Sequence, residues 1–176
     1  MELEQSFLNI KDWLKFAEAK NAALVGLVGV LMPTYINLAG DDAVLAYAYG
    51  FTAIPFLVIS SFLALISFLP RLDFLPEFLV RQDGRALGSE SDLFFEHIAR
   101  RGRGEALERM RMAFNFDESD RLKCDIGEQI FALSQITRRK MLLFSWALRF
   151  LIVGIFTPAA ALAMLIIFKN DIRSTD

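Results

Sequence analysis

The sequence predicts an all-α membrane protein with three transmembrane helices, N-terminus in and C-terminus out, and a helical cytoplasmic segment between the second and third. Three observations predict it. Of 176 residues 55% are hydrophobic and the mean hydropathy is +0.39, although 23% are charged; such a mean requires long stretches without charge. Residues 21–40, 43–70 and 150–168 are such stretches, each near or above the roughly 18 to 20 apolar residues that cross a bilayer core of about 30 Å. The cations are also one-sided. Residues 1–20 hold three Lys or Arg, the connection at residues 40–42 holds none beside two aspartates, residues 70–140 hold thirteen, and the tail after Phe168 holds two, which puts the N-terminus and the central segment on the cytoplasmic side.

The expected organisation is a cytoplasmic amphipathic helix over residues 1–20, a transmembrane hairpin over 21–70, a helical cytoplasmic segment over 71–140, a third transmembrane helix over 141–168 and a short external tail over 169–176. In the first element Leu3, Phe7, Ile10, Leu14 and Ala17 recur at four and three residue steps among charged neighbours, which is an amphipathic helix. Its charges balance, which favours packing against another helix over an inner-leaflet anchor through Trp13. A signal peptide is disfavoured by the four acids among the first 20 residues and by an apolar run longer than an ordinary h-region.

Pro33 lies inside the first span and is expected to kink or unwind it. The second span starts after Asp42 and ends at Pro70 and Arg71, with Tyr47 and Tyr49 suited to the headgroup layer. In the third, Arg149 is expected at the interface, snorkelling, with Trp146 one turn before it. Ser60, Ser61, Ser67 and Thr52 either line a pore or, as intramembrane hydroxyls usually do, bond their own or a neighbouring backbone. Gly26 and Gly29 are three apart and do not make a GxxxG seam.

In the central segment Gly84, Gly88, Ser89 and Ser91 mark a loop, and Ser91 or Asp92 caps a helix carrying FFEHIARR, broken near Gly102 and Gly104 and resumed to Phe114. Asp117 or Ser119 caps a further helix whose apolar stripe is Leu122, Ile126, Ile130, Leu133 and Ile136 or Thr137. No strong breaker follows, so one rod is expected to continue into the third span.

The chemistry-bearing residues are few. Cys124 is the one cysteine and His97 the one histidine, so no disulfide, metal site or cofactor is expected and a catalytic triad has no natural set of partners. Arg100, Arg101, Arg103, Arg109 and Arg111 gather in sequence near His97. Guanidiniums fork onto phosphate, which makes Arg100, Arg101 and Arg103, with Lys123, the candidate ligand contacts. The alternative is that these arginines only set topology and are neutralised by Glu96, Glu105 and Glu108. Nucleic acid is not an expected partner, because residues 70–140 hold thirteen acids against thirteen bases and no interleaved aromatic platform.

EAKNAALVGLVGVL at the first span, FFEHIARR in the central segment and QIFALSQITRRKMLLFSWALR before the third resemble the transmembrane effectors of Pycsar anti-phage systems. The resemblance covers nearly the whole chain and singles out Lys20, Asn21, Phe95, Ile98, Gln129, Ile130, Ser134 and Lys140. It implies a bacterial inner-membrane protein that impairs the membrane when a cyclase makes cyclic CMP or cyclic UMP. The expectation is therefore a homo-oligomeric effector that is not an enzyme, with the lipid bilayer and a cyclic pyrimidine nucleotide as partners. Nothing in the sequence reads as a β-rich cyclic-nucleotide-binding domain. The rival expectation is a membrane-anchored adaptor whose cytoplasmic helices bind a protein partner without forming a pore.

Overall fold

The computed structural model describes residues 3–40, 43–69 and 95–174, with side chains to residue 167. The connection at Asp41 and Asp42, the end of the second span at Pro70 and Arg71, and the loop and cap expected among Gly84, Gly88, Ser89, Ser91 and Asp92 lie outside these residues. The described elements are helices α1 (Leu3–Ala39), α2 (Ala43–Leu45), a π-helical turn (Ala46–Phe51), α3 (Ile54–Ile66), α4 (Phe95–Arg100), α5 (Arg103–Phe114) and α6 (Arg121–Ser174), and no strand occurs among them. Three helical stretches, Leu3–Ala39, Ala43–Ile66 and Arg121–Ile167, are long and apolar enough to cross a membrane. The amphipathic stretch and the first span belong to one helix, α1. The chain forms two compact units, the first of residues 1–20 and 67–142, the second of residues 21–66 and 143–176.

The first unit is held by apolar packing of four helices. Leu3 and Ile10 of α1 cluster with Phe95 and Ile98 of α4, Ala106 and Met110 of α5, Phe116, and Ile130 of α6, and Phe7, Phe131 and Met141 pack around them. The stripe read in the sequence is thus the buried one, and it meets protein: Trp13 lies 5.5 Å from Phe95, ring centre to ring centre. The break between α4 and α5 falls at Gly102, whose extended backbone (φ −65°, ψ 151°) turns the chain. α5 ends on Asn115 in the left-handed region (φ 49°), where its N–H donates to the Arg111 carbonyl, a conformation that asparagine tolerates better than most residues.

One expectation about α6 is corrected. Its cap is neither Asp117 nor Ser119 but Asp120, which accepts from the Lys123 backbone N–H at 3.3 Å and whose own carbonyl accepts from the Cys124 N–H. The expected apolar stripe is buried at Ile130 and Thr137, with Ile126 and Leu133 packed against the core, and is open only at its first member. Leu122 is 68% exposed, whereas Ile130, Ser134 and Thr137 are fully buried, and Gly127 lies under Leu107, Met110 and Phe116. Small residues let backbones approach, so on a closely packed helix they occupy the contact side and larger apolar residues flank it.

The second unit packs Leu24 and Val28 of α1, Leu57 and Ala64 of α3, and Ala147 and Leu151 of α6 into one cluster. α1 stays helical through Pro33 and ends at Gly40, whose φ of +44° closes it, so of the expected kink or unwinding at the proline the unwinding is absent. The second span is not one regular helix: residues 46–51 form a π turn. There the Thr52 hydroxyl donates to the Ala48 carbonyl and the rings of Tyr35 and Tyr49 sit 5.2 Å apart. Hydroxyls that donate to carbonyls within their own or a neighbouring helix locally reshape the backbone ladder.

Candidate functional site

The candidate phosphate contacts of the first unit are each engaged by a carboxylate. Arg100 pairs with Glu96 one helical turn earlier, and Arg101 lies 3.7 Å from Glu105. Arg103 reaches out of α5 to make a two-pronged contact with Glu128 of α6, at 2.6 and 2.7 Å. That hydrogen bond and charge hold its pKa above the usual arginine value. Arg109 also faces Glu105, and Arg111 pairs with Glu118, 2.5 Å away. Lys123 pairs with Asp120 at 3.0 Å and lines a separate groove with Leu3, Glu4, Phe114, Leu122 and Ile126. The expected neutralisation by Glu96 and Glu105 is present, and Glu128 and Glu118 complete it. Glu108 makes no pair among the described residues.

The positions singled out by the resemblance fall into two kinds. Phe95, Ile98 and Ile130 are core residues of one cluster. Gln129, Ser134 and Lys140 are polar groups on α6. Gln129 is exposed; Ser134 is fully buried with no hydrogen-bond partner for its hydroxyl among the described residues, as is Thr137 one turn on. Lys140 is buried and donates to Glu18 of α1. Lys20 stands over the Phe16 ring, 4.3 Å from its centre. Asn21, assigned to the second unit, is fully buried.

Between α1 and α6 of the first unit runs a groove of about 410 Å³ lined by Phe7, Lys11, Leu14, Lys15, Glu18, Gln129, Ala132 and Leu133. Sequence reasoning passed over Lys11, Lys15 and Glu18 because they read as the polar side of an amphipathic helix. The available signal was their spacing of four and three, which sets all three along one edge of α1. Among the described residues no three His, Cys, Asp or Glu are placed to hold a metal ion.

In the second unit two of the intramembrane hydroxyls named from the sequence, Thr52 and Ser60, bond backbone carbonyls. Ser60 donates to the Ala147 carbonyl at 2.8 Å, and Thr157 to the Val153 carbonyl at 2.9 Å. Arg149 is exposed and stacks on Trp146, 4.8 Å from guanidinium to ring, the pairing expected of a snorkelling arginine. Gly26 and Gly29 face open space.

A family model described as the Pycsar effector protein domain, PycTM, matches residues 2–167. No curated protein and no solved structure shows a significant match. The family match reaches through both compact units and all three helices long enough to span, so the whole described architecture, and not one half of it, is what the family shares: this chain belongs to the Pycsar effector family of anti-phage defence proteins.

Proposed function

We propose that the chain is a membrane-impairing effector of the bacterial inner membrane, triggered by cyclic CMP or cyclic UMP. Its N-terminus and the segment 71–140 lie in the cytoplasm, identical subunits associate through the membrane helices, and the signal rearranges them into a leaky state. The observation that carries this reading is the family match over residues 2–167 on a chain with three helices able to span. A ligand can drive such a change only through a difference in its affinity for the two states, and the charged first unit offers the polar surface on which that difference can arise. The effector performs no chemistry on the nucleotide; this family is not a known catalytic one.

The test is to follow dye uptake and membrane potential in cells that carry this chain with a pyrimidine cyclase. Depolarisation on cyclic CMP or cyclic UMP accumulation is expected. Normal potential and growth while the nucleotide accumulates would refute the reading. A detergent-extracted homo-oligomer is expected on purification. A monomer that brings a soluble protein with it in fixed ratio would instead point to the membrane-anchored adaptor.

A further inference from the structure

We infer that the groove between α1 and α6 in the first unit is a binding site for a small organic phosphate carrying a planar ring. The inference rests on the proposed function for its choice of ligand, the cyclic pyrimidine nucleotide, and adds where that ligand is held and which contact it disturbs.

The groove has the dimensions and lining of a small-ligand site, which typically offers 300 to 1,000 Å³ of mainly apolar wall and a few placed polar groups. Its volume is about 410 Å³, and Phe7, Leu14, Ala132 and Leu133 supply the apolar wall. Lys11 and Lys15 stand one turn apart on one rim, and Gln129 faces them from α6. These cations are less engaged than the arginines of α4 and α5. The recorded contact of Lys11 is with the Phe7 ring, 5.4 Å away. Lys15 meets Asp12 at 3.1 Å, but both side chains are 72% exposed, and so open a pair contributes little and yields readily to a phosphate. A phosphate at Arg103 would instead have to displace both oxygens of Glu128.

The three polar groups divide the work by their chemistry. Two ammonium groups suit the singly charged cyclic phosphate. The carboxamide of Gln129 carries a donor and an acceptor side by side, the pattern that the edge of a pyrimidine base presents in reverse. Glu18 lines the same groove and is the partner of buried Lys140. An anion bound beside Glu18 repels its carboxylate and competes for Lys140, so occupancy of the groove weakens an α1–α6 contact. That gives the ligand the differential affinity that a trigger needs.

The same chemistry could be met by a lipid headgroup, and the test separates the two sources. Purified full-length chain in zwitterionic phosphatidylcholine nanodiscs is titrated with cyclic CMP and cyclic UMP, and in parallel the phosphatidylglycerol that each protein retains on extraction from mixed-lipid membranes into detergent is measured by mass spectrometry. Expected are saturable nucleotide binding by the wild type, a loss of about tenfold or more in Lys11→Ala/Lys15→Ala and in Gln129→Ala, and partial recovery in Lys11→Arg/Lys15→Arg. Circular dichroism confirms that each variant is folded. Nucleotide binding unchanged in both variants overturns the groove and leaves the proposed function standing. Binding lost instead in Arg100→Ala/Arg101→Ala also overturns it and puts the site at α4. A wild type that binds no nucleotide but retains phosphatidylglycerol that the lysine variant does not retain keeps the groove as a phosphate site, with lipid as its source, while the proposed trigger fails. A wild type that neither binds nucleotide nor retains phosphatidylglycerol through these lysines removes the groove as a site.

Discussion

Lys140 donates to Glu18 across 122 positions of the chain, and the two ends of the pair differ in exposure, 7% for the lysine side chain against 45% for the glutamate. The asymmetry predicts unequal costs. Removing Glu18 strands a buried ammonium, whereas removing Lys140 leaves a carboxylate that water already reaches. Glu18→Ala is expected to destabilise the chain by about 2 kcal/mol and Lys140→Met by under about 1 kcal/mol, the first figure already reduced for the exposure of Glu18. Thermal unfolding in detergent reads both. A larger loss for Lys140→Met, which keeps most of the aliphatic stem and removes only the ammonium, would show that the charged contact itself holds α1 to α6.

Ser134 and Thr137 are buried on the same side of α6 and their hydroxyls have no hydrogen-bond partner among the described residues. A buried hydroxyl without a partner costs free energy that an apolar group of the same shape does not. Thr137→Val keeps the volume and removes the hydroxyl, so it is expected to stabilise the chain by about 1 kcal/mol, with Ser134→Ala near neutral because it trades that gain against a small cavity. Raised unfolding temperature in Thr137→Val checks it. A destabilised Thr137→Val would mean that the hydroxyl finds its partner in another subunit or a bound water.

The parts legible in the sequence are those that depend on short-range periodicity. The three spans follow from uncharged runs, the buried stripe of α1 from steps of three and four, and the Arg100–Glu96 pair from i,i+4 spacing. What the sequence hides depends on distant neighbours. Glu128 lies 25 positions from Arg103, so its claim on that arginine is invisible to local reasoning. The first turn of the α6 stripe is hidden for the same reason: hydrophobicity nominates Leu122, but packing of α5 falls on Gly127 and leaves Leu122 in the open. The π turn at residues 46–51 has no signature in its letters. At the start of α6 three capping residues, Asp117, Ser119 and Asp120, compete within four positions, and only the geometry of Lys123 decides among them.

Gly154 lies at a close helix approach in the second unit. A Cβ there would meet Leu57 Cδ2 at 3.2 Å, Phe56 Cβ at 3.3 Å and the Ala53 carbonyl at 3.4 Å. Gly154→Ala requires the Ala53–Leu57 backbone to give by a few tenths of an ångström, because Phe56 Cβ and the Ala53 carbonyl cannot swing aside as Leu57 Cδ2 can, and Gly154→Val must push α3 further and is expected to cost about 1 to 3 kcal/mol. The same separation would stretch the Ser60 to Ala147 hydrogen bond of 2.8 Å. Unfolding in detergent of Gly154→Val, alone and with Leu57→Ala, measures the effect. Partial recovery in the double variant is expected, and equal stability of Gly154→Val and the wild type would show that the helices are not held at this distance.

The cap of α6 supplies a pH-dependent prediction. Asp120 has its pKa lowered, first by the hydrogen bond from the Lys123 side chain and then by the bond from the Lys123 backbone N–H. A carboxyl whose folded pKa lies below its unfolded value of about 3.9 stabilises the folded state fully above that value and loses its effect as pH falls through the lowered one. The contribution of Asp120 is therefore constant from neutrality down to about pH 4 and disappears in stronger acid. Hydrogen exchange at the amides of residues 121–124 reads the first turn of α6 directly. At neutral pH Asp120→Ala should expose these amides, Asp120→Asn should protect them through its side-chain oxygen, and Asp117→Ala or Ser119→Ala should leave them protected. As pH falls through the lowered pKa, protection in the wild type should fall to that of Asp120→Ala, while Asp120→Asn, which has no proton to take up, should not change. Acid loss of equal size in Asp120→Asn would assign the titration to another carboxylate and the cap to a neutral contact.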